Sequence, residues 1–230
     1  MDFVTNIKKF IRNLLGNSDK FDEVKGDIDS TRFVVLDTET TGFDYEKDRI
    51  LCIGAIVLQN YRIPLQESLE VYIQQEHYNK ATAQIHGILK ASVLDRPNEL
   101  ESLQQFLDFV GDSIIVAHHT LFDITMINKA LERNGLPKLK NKTIDTAHLY
   151  KKTLLYSPLL VRKDSYTLDD LADKFDISKK DRHTAMGDAY ITAIAFLKIL
   201  NKLKEKRVLV YSNYSNIDIL TTTFCSSFKY

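Results

Sequence analysis

An α/β fold built on a mixed sheet is predicted by two features of this 230-residue chain. Three β-rich apolar segments, 32–37, 48–59 and 66–75, follow one another with no helical segment between them, which indicates an antiparallel meander. From residue 98 onward, helical periodicity alternates with short buried strands, which indicates parallel crossovers and helices covering the sheet. An apolar fraction of 44% supplies the core such a fold needs.

The elements follow in order. Segment 32–37 (R-F-V-V-L-D) is short and β-rich, 48–59 is a long apolar strand, and 66–75 alternates at Leu69, Val71 and Ile73 like a half-buried strand. Leu100, Leu103, Phe106, Leu107 and Val110 space a helix over 98–111 that ends at Gly111. A buried strand at 114–117 precedes a helix over 122–134, closed by Gly135 with Pro137 two residues on. A short strand at 143–145 leads into a helix running to about 152. Thr167 is a natural N-cap for 168–175, and a long helix over 184–204 completes the domain. Flanking it, Phe3, Ile7, Phe10, Ile11 and Leu14 mark an amphipathic helix, and 16–30 reads as a polar linker. The expected organisation is therefore an N-terminal helix and linker (1–30), a compact domain (31–205) and a Ser-, Thr-, Tyr- and Asn-rich tail (206–230).

Composition excludes several classes. The longest apolar run, residues 50–58, is too short for a membrane helix, which needs about 18 residues. Two cysteines make no disulfide framework, and charges at Lys8, Lys9 and Arg12 interrupt any signal-like run; a cytoplasmic setting is expected. The eight glycines are too far apart for a G-x-G-x-x-G loop or a nucleophile elbow, and none begins a Gly-Lys-Ser/Thr phosphate loop. Thirty-one basic residues balance 31 acidic ones, so no overall basic field exists. Residues 138–163 nonetheless hold seven basic side chains against one acid, a local stretch suited to phosphate contacts or simply to a solvated surface.

The chemistry concentrates at three element ends. Asp37 and Glu39 (D-T-E-T) sit at i and i+2 of a strand and so face one side. Asp123 lies in the first turn of the helix after A-H-H-T-L-F-D, and Asp188 in the first turns of the helix after R-H-T-A-M-G-D, with His183 just before it. Each feature alone has an ordinary explanation: a solvated strand end, acids complementing helix dipoles, an exposed loop histidine. Together they converge on one rim of the sheet, where ligands of α/β proteins bind. Four carboxylates gathered there repel one another unless a cation intervenes. All-oxygen ligands favour Mg²⁺ or Mn²⁺, and zinc is disfavoured because neither cysteine lies near these segments in sequence. Two such ions can flank a phosphate, and a nearby histidine can deprotonate water.

These segments, with I-H-G-I at 85–88, I-D-T at 144–146 and Y-T-L-D-D-L-A at 166–172, resemble the DnaQ-like (DEDDh) 3′-to-5′ exonucleases, a family that includes the proofreading epsilon subunit of bacterial DNA polymerase III. The resemblance implies a ribonuclease H-like fold, with a five-stranded mixed sheet whose first three strands are antiparallel. It implies that Asp37, Glu39, Asp123 and Asp188 hold two metal ions, Mg²⁺ or Mn²⁺, and that His183 is the general base. It places His86, Asp37, Glu39 and Asp188 at the bound terminal nucleotide. One departure is His119, where the family usually has Asn. Expected partners are single-stranded nucleic-acid 3′ ends, DNA ahead of RNA, and a polymerase or other protein reached through the termini; no membrane is expected. Phe43 and Phe122 fit a stacking wedge or the core. An exoribonuclease, and a non-cleaving binding module, are the alternatives.

Overall fold

Strand β1 (Phe33–Thr40) is the centre of the molecule, paired on both edges. A computed structural model of the chain describes residues 31–64, 66–76, 79–88, 96–154 and 166–215, with side chains to 203. The strands β2 (Ile50–Leu58), β3 (Ser68–Tyr72), β4 (Ile114–Ala117) and β5 (Thr143–Asp145) complete a five-stranded sheet in the order β3-β2-β1-β4-β5. β1 to β3 are antiparallel neighbours, while β4 and β5 run parallel to β1. This is the predicted mixed sheet. β2 is buried along its whole length, which is why it reads in the sequence as one apolar run rather than an alternation.

The helices are α1 (Lys80–His86), α2 (Glu99–Val110), α3 (Leu121–Arg133), α4 (Thr146–Thr153), α5 (Leu168–Phe175) and α6 (Ala185–Ser215). Several carry their own start signals. Asn98 and Glu101 form a capping box on α2, Thr167 and Asp170 form one on α5, and Asp145 caps α4 through the amides of Ala147 and His148.

The strand pleat divides the core in two. Phe33 and Val35 face α5 and α6, where Phe33 meets Phe196 edge-on at 5.3 Å. Val34 and Leu36 face α2 and α3, against Leu103, Phe106, Met126 and Ile127. Continuing the alternation, Asp37 and Glu39 belong to the α6 face and Thr38 to the α3 face.

Two elements differ from the sequence-based expectation. α1 has no counterpart among the elements read from the sequence; it forms because Asn79 caps the Ala81 amide and Gly87, at φ +70°, closes the other end. α6 runs to Ser215, past the expected end at 204, so the compositional change at 206 does not stop the helix. The expected helix at 3–15, the linker and the end of the tail lie outside the described residues. Among the described residues, no helix is long and apolar enough to cross a membrane.

Candidate active site

Asp37, Glu39 and Asp188 meet, with one carboxylate oxygen from each lying within 4.8 Å of the others. Two devices bring them together. The β1 pleat presents Asp37 and Glu39 on the α6 face, and a register shift between Glu39 and Thr40 ends regular pairing beside them. Gly54, opposite Asp37 on β2, lets the start of α6 lie directly on the sheet. A Cβ at position 54 would stand 2.3 Å from the Ala185 carbonyl carbon and 2.4 Å from the Met186 nitrogen. Asp188, one turn further, is thereby delivered to the trio.

Asp123 arrives from the opposite face of the sheet. It is buried, and its Oδ1 accepts hydrogen bonds from the Thr38 amide at 3.0 Å and the Thr38 hydroxyl at 2.7 Å. The fourth acid therefore lies beside the trio, close enough to raise the Asp37 pKa, and is anchored through the strand's other face.

Electrostatics show the cost of this crowding. Burial first, then the charges of Asp123, Asp188 and Glu39, holds the Asp37 carboxyl well above the usual carboxylate range. Burial and Asp188 push Glu39 up to about 7, and burial pushes Asp123 up to about 7 against the opposing hydrogen bonds from Thr38. The Arg182 charge lowers both Asp37 and Glu39. A donor set made only of carboxylate oxygens, destabilised as anions when bare, fits hard divalent cations. Cys52 does lie close after all, as the ladder partner of Glu39. Burial pushes its thiol pKa up, so in the bare site it is a neutral thiol.

The two histidines stand differently. His183 sits in the turn before α6 at φ +65°, with an exposed side chain, and its amide approaches Asp188 Oδ1 at 3.4 Å. His86 ends α1 and is buried. Its Nδ1 accepts from the Ile88 amide at 3.1 Å, so Nε2 carries the proton, and that N–H has no partner among the described residues. Burial lowers the His86 pKa, favouring the neutral ring. Ile88 packs with Cys52 and Ala185, which docks this turn next to Glu39 and the start of α6.

His118 is structural. Its Nε2 donates to the Tyr166 carbonyl and its Nδ1 accepts from the Thr146 hydroxyl, both at 2.9 Å, and burial brings its pKa down to about 4. His119 adopts φ +60°, a region that Asn and His enter more readily than most residues, so the departure from Asn keeps the turn. Phe43 is 80% exposed and its ring meets Phe122 at 5.6 Å, while Phe122 is half-buried against the core.

Three contributors escaped the sequence reading: Gly54, Thr38 and the pair Asp169–Arg182. A glycine inside an apolar strand is a known sign of close backbone approach. The other two carry no local signal of their roles.

Comparison with known proteins bears on the family and the fold. The model of the exonuclease family (RNase T) matches residues 34–196. The DNA polymerase III epsilon subunit of Aquifex aeolicus is 35% identical over 174 residues, 74% of this chain and 81% of that protein. The PolC-type DNA polymerase III of Caldanaerobacter subterraneus is 33% identical over 186 residues, and there the match spans only 13% of the relative's length. Among solved structures, E. coli exonuclease I with a dT13 oligonucleotide superposes with a TM-score of 0.64 at 19% identity, over 79% of this chain and 43% of that one. Exonuclease X in complex with 5′ overhanging duplex DNA gives 0.56 at 22% identity, over 74% and 91%. These likenesses share the ribonuclease H-like fold read from the sequence. With the family model spanning all five strands and all four acids, the chain belongs to the exonuclease family.

Proposed function

We propose that this chain is a two-metal 3′-to-5′ exonuclease that releases nucleoside 5′-monophosphates, acting on DNA in proofreading or repair. The observation carrying the proposal is the convergence of Asp37, Glu39 and Asp188 within 4.8 Å, with buried Asp123 beside them. Mg²⁺ or Mn²⁺ bound there would neutralise the acids and stabilise both the attacking and the leaving oxygen.

The chain's residues have separate tasks. Asp37, Glu39, Asp123 and Asp188 hold the two ions. His183, exposed at the mouth of the site, takes a proton from the attacking water. A new P–O bond forms as the bond to the penultimate 3′ oxygen breaks, and that oxygen takes a proton from solvent, leaving a shortened strand with a free 3′-hydroxyl. The unmet Nε2–H of His86 donates to the terminal nucleotide. Phe43 and Phe122 offer a ring surface on which a terminal base stacks.

DNA is favoured over RNA because the relatives are DNA polymerase III proteins and the exonuclease I and X structures hold DNA. The same relatives support a DNA polymerase as partner and a cytoplasmic setting. Of the basic stretch at 138–163, Lys140 and Lys142 flank Asn141, which bonds the Gly111 and Ser113 carbonyls at the end of the sheet away from the acids, so they form no approach to the site.

The test is cleavage of matched 5′-labelled single-stranded DNA and RNA with Mg²⁺, with Mn²⁺ and with chelator. A metal-dependent ladder shortening from the 3′ end, faster on DNA, is expected. A faster RNA ladder would move the assignment to RNA trimming. No cleavage of either strand would support a binding module.

A further inference from the structure

Arg182 is shared between two acids of unequal burial. Its Nε and Nη2 fork onto the two oxygens of Asp169, at 2.9 and 3.1 Å. Its Nη1 bonds Asp188 Oδ2. The Asp188 side chain is only 9% exposed, whereas that of Asp169, in the first turn of α5, is 47% exposed. Among the described residues, the ion pairs to the acid trio come from this one guanidinium. The His183 amide takes the other oxygen of Asp188, so the 182–183 turn engages both.

A fixed cation at Oδ2 satisfies Asp188 while the acids are bare, and it repels a divalent cation seeking the same carboxylate. We propose that Arg182 is the resident counter-charge of the metal-free site, that it competes with divalent metal for Asp188 Oδ2, and that Asp169 sets the strength of that competition by holding the guanidinium's other edge. This rests on the metal-site reading above. Arg182 is thus a positioning residue acting through Asp188.

Two substitutions have opposite expected effects on metal binding. Arg182→Met removes the competitor, so Mn²⁺ binds about tenfold more tightly, a change of the size seen when a metal site's outer partners are altered. The same variant melts at a lower temperature than wild type in chelator, and Mn²⁺ closes the gap. Asp169→Asn weakens the outer fork and leaves Arg182 committed to the trio, so Mn²⁺ binds several-fold more weakly. Arg182→Lys keeps the charge without the fork and is the control should the methionine variant fail to fold; its Mn²⁺ affinity stays within about threefold of wild type.

The measurements are calorimetric Mn²⁺ titration and thermal melting of the full chain, with and without chelator. Weaker Mn²⁺ binding by Arg182→Met would overturn the proposal and make Arg182 a support for Asp188 as ligand. Shifts of both variants in one direction would also overturn it, as general damage to the turn. If wild type itself bound no Mn²⁺, the metal-site reading would fail with it; if wild type bound Mn²⁺ and the variants matched it, only the Arg182 proposal would fall.

Discussion

The two halves of the acid cluster are built to different standards. Asp37 and Glu39 stand on a strand paired to β2 alongside them and to β4 just before them, at Phe33–Val35; they follow fully buried Val35 and Leu36, and Asp123 is tied to that strand by two hydrogen bonds. Asp188 and His183 stand at a helix start, held by the Nη1 bond from Arg182 and a glycine contact across to β2, in a turn where His183 itself adopts φ +65°. The first half is fixed by the ladder; the second by a small number of replaceable contacts. The difference teaches that the acids most firmly placed are those the proposed metal ions would need ready, while the proposed proton acceptor sits where adjustment is cheap.

The comparison can be broken most directly at Asp37. Asp37→Ala should abolish turnover, and in chelator it should melt at or above the wild-type temperature because one acid of a mutually repelling cluster is gone. A large fall in the chelator melt would show that the strand half depends on Asp37 for folding.

On the helix half, His183→Ala should lower turnover by roughly 10²–10⁴-fold with Mn²⁺ affinity retained. Loss of Mn²⁺ binding, measured by calorimetry, would make His183 a ligand and erase the division of labour.

The join between the halves is Gly54. Gly54→Ala should cost about 1–3 kcal/mol in urea unfolding, because the new methyl meets the Ala185–Met186 backbone. Mn²⁺ affinity should fall with it as Asp188 is pushed from Asp37. Unchanged affinity would mean that the helix half tolerates displacement.

A pH profile sharpens the electrostatic side. Glu39 is raised from 4.5 to about 7, and Asp123 from 3.8 to about 7. Folding favours their protonated forms, so they contribute stability below about pH 4 that fades as pH rises through 7. With chelator, this contribution should lower the melting temperature between pH 4.5 and 7.5, and saturating Mn²⁺ should flatten the profile. An identical profile with and without Mn²⁺ would show that these acids titrate independently of metal.

Much of this was legible beforehand because it is local. Alternation in β3, Gly111 and Gly135 as helix stops, and Thr167 as a cap are all short-range signals, and each falls where expected. The acids were legible because their spacing fixes which face or turn they occupy. What escaped depends on the third dimension. The pleat assigns Thr38 to Asp123 only once α3 is known to lie on that face. Asp169 and Arg182 are 13 residues apart, and only the turn between α5 and α6 joins them. Cys52 seemed remote because sequence distance hides the antiparallel ladder that sets it opposite Glu39. α1 was missed because seven residues are too few for periodicity to register.

The bare hydrogen at position 54 has a consequence for how variation in this chain should be read. Gly54 bears no functional group and would never be nominated as part of an active site, yet it is the spacer that sets how far Asp188 stands from Asp37. In a selection for lost activity, position 54 should therefore return alongside the acids, and the inactive proteins recovered there should still carry every catalytic group intact.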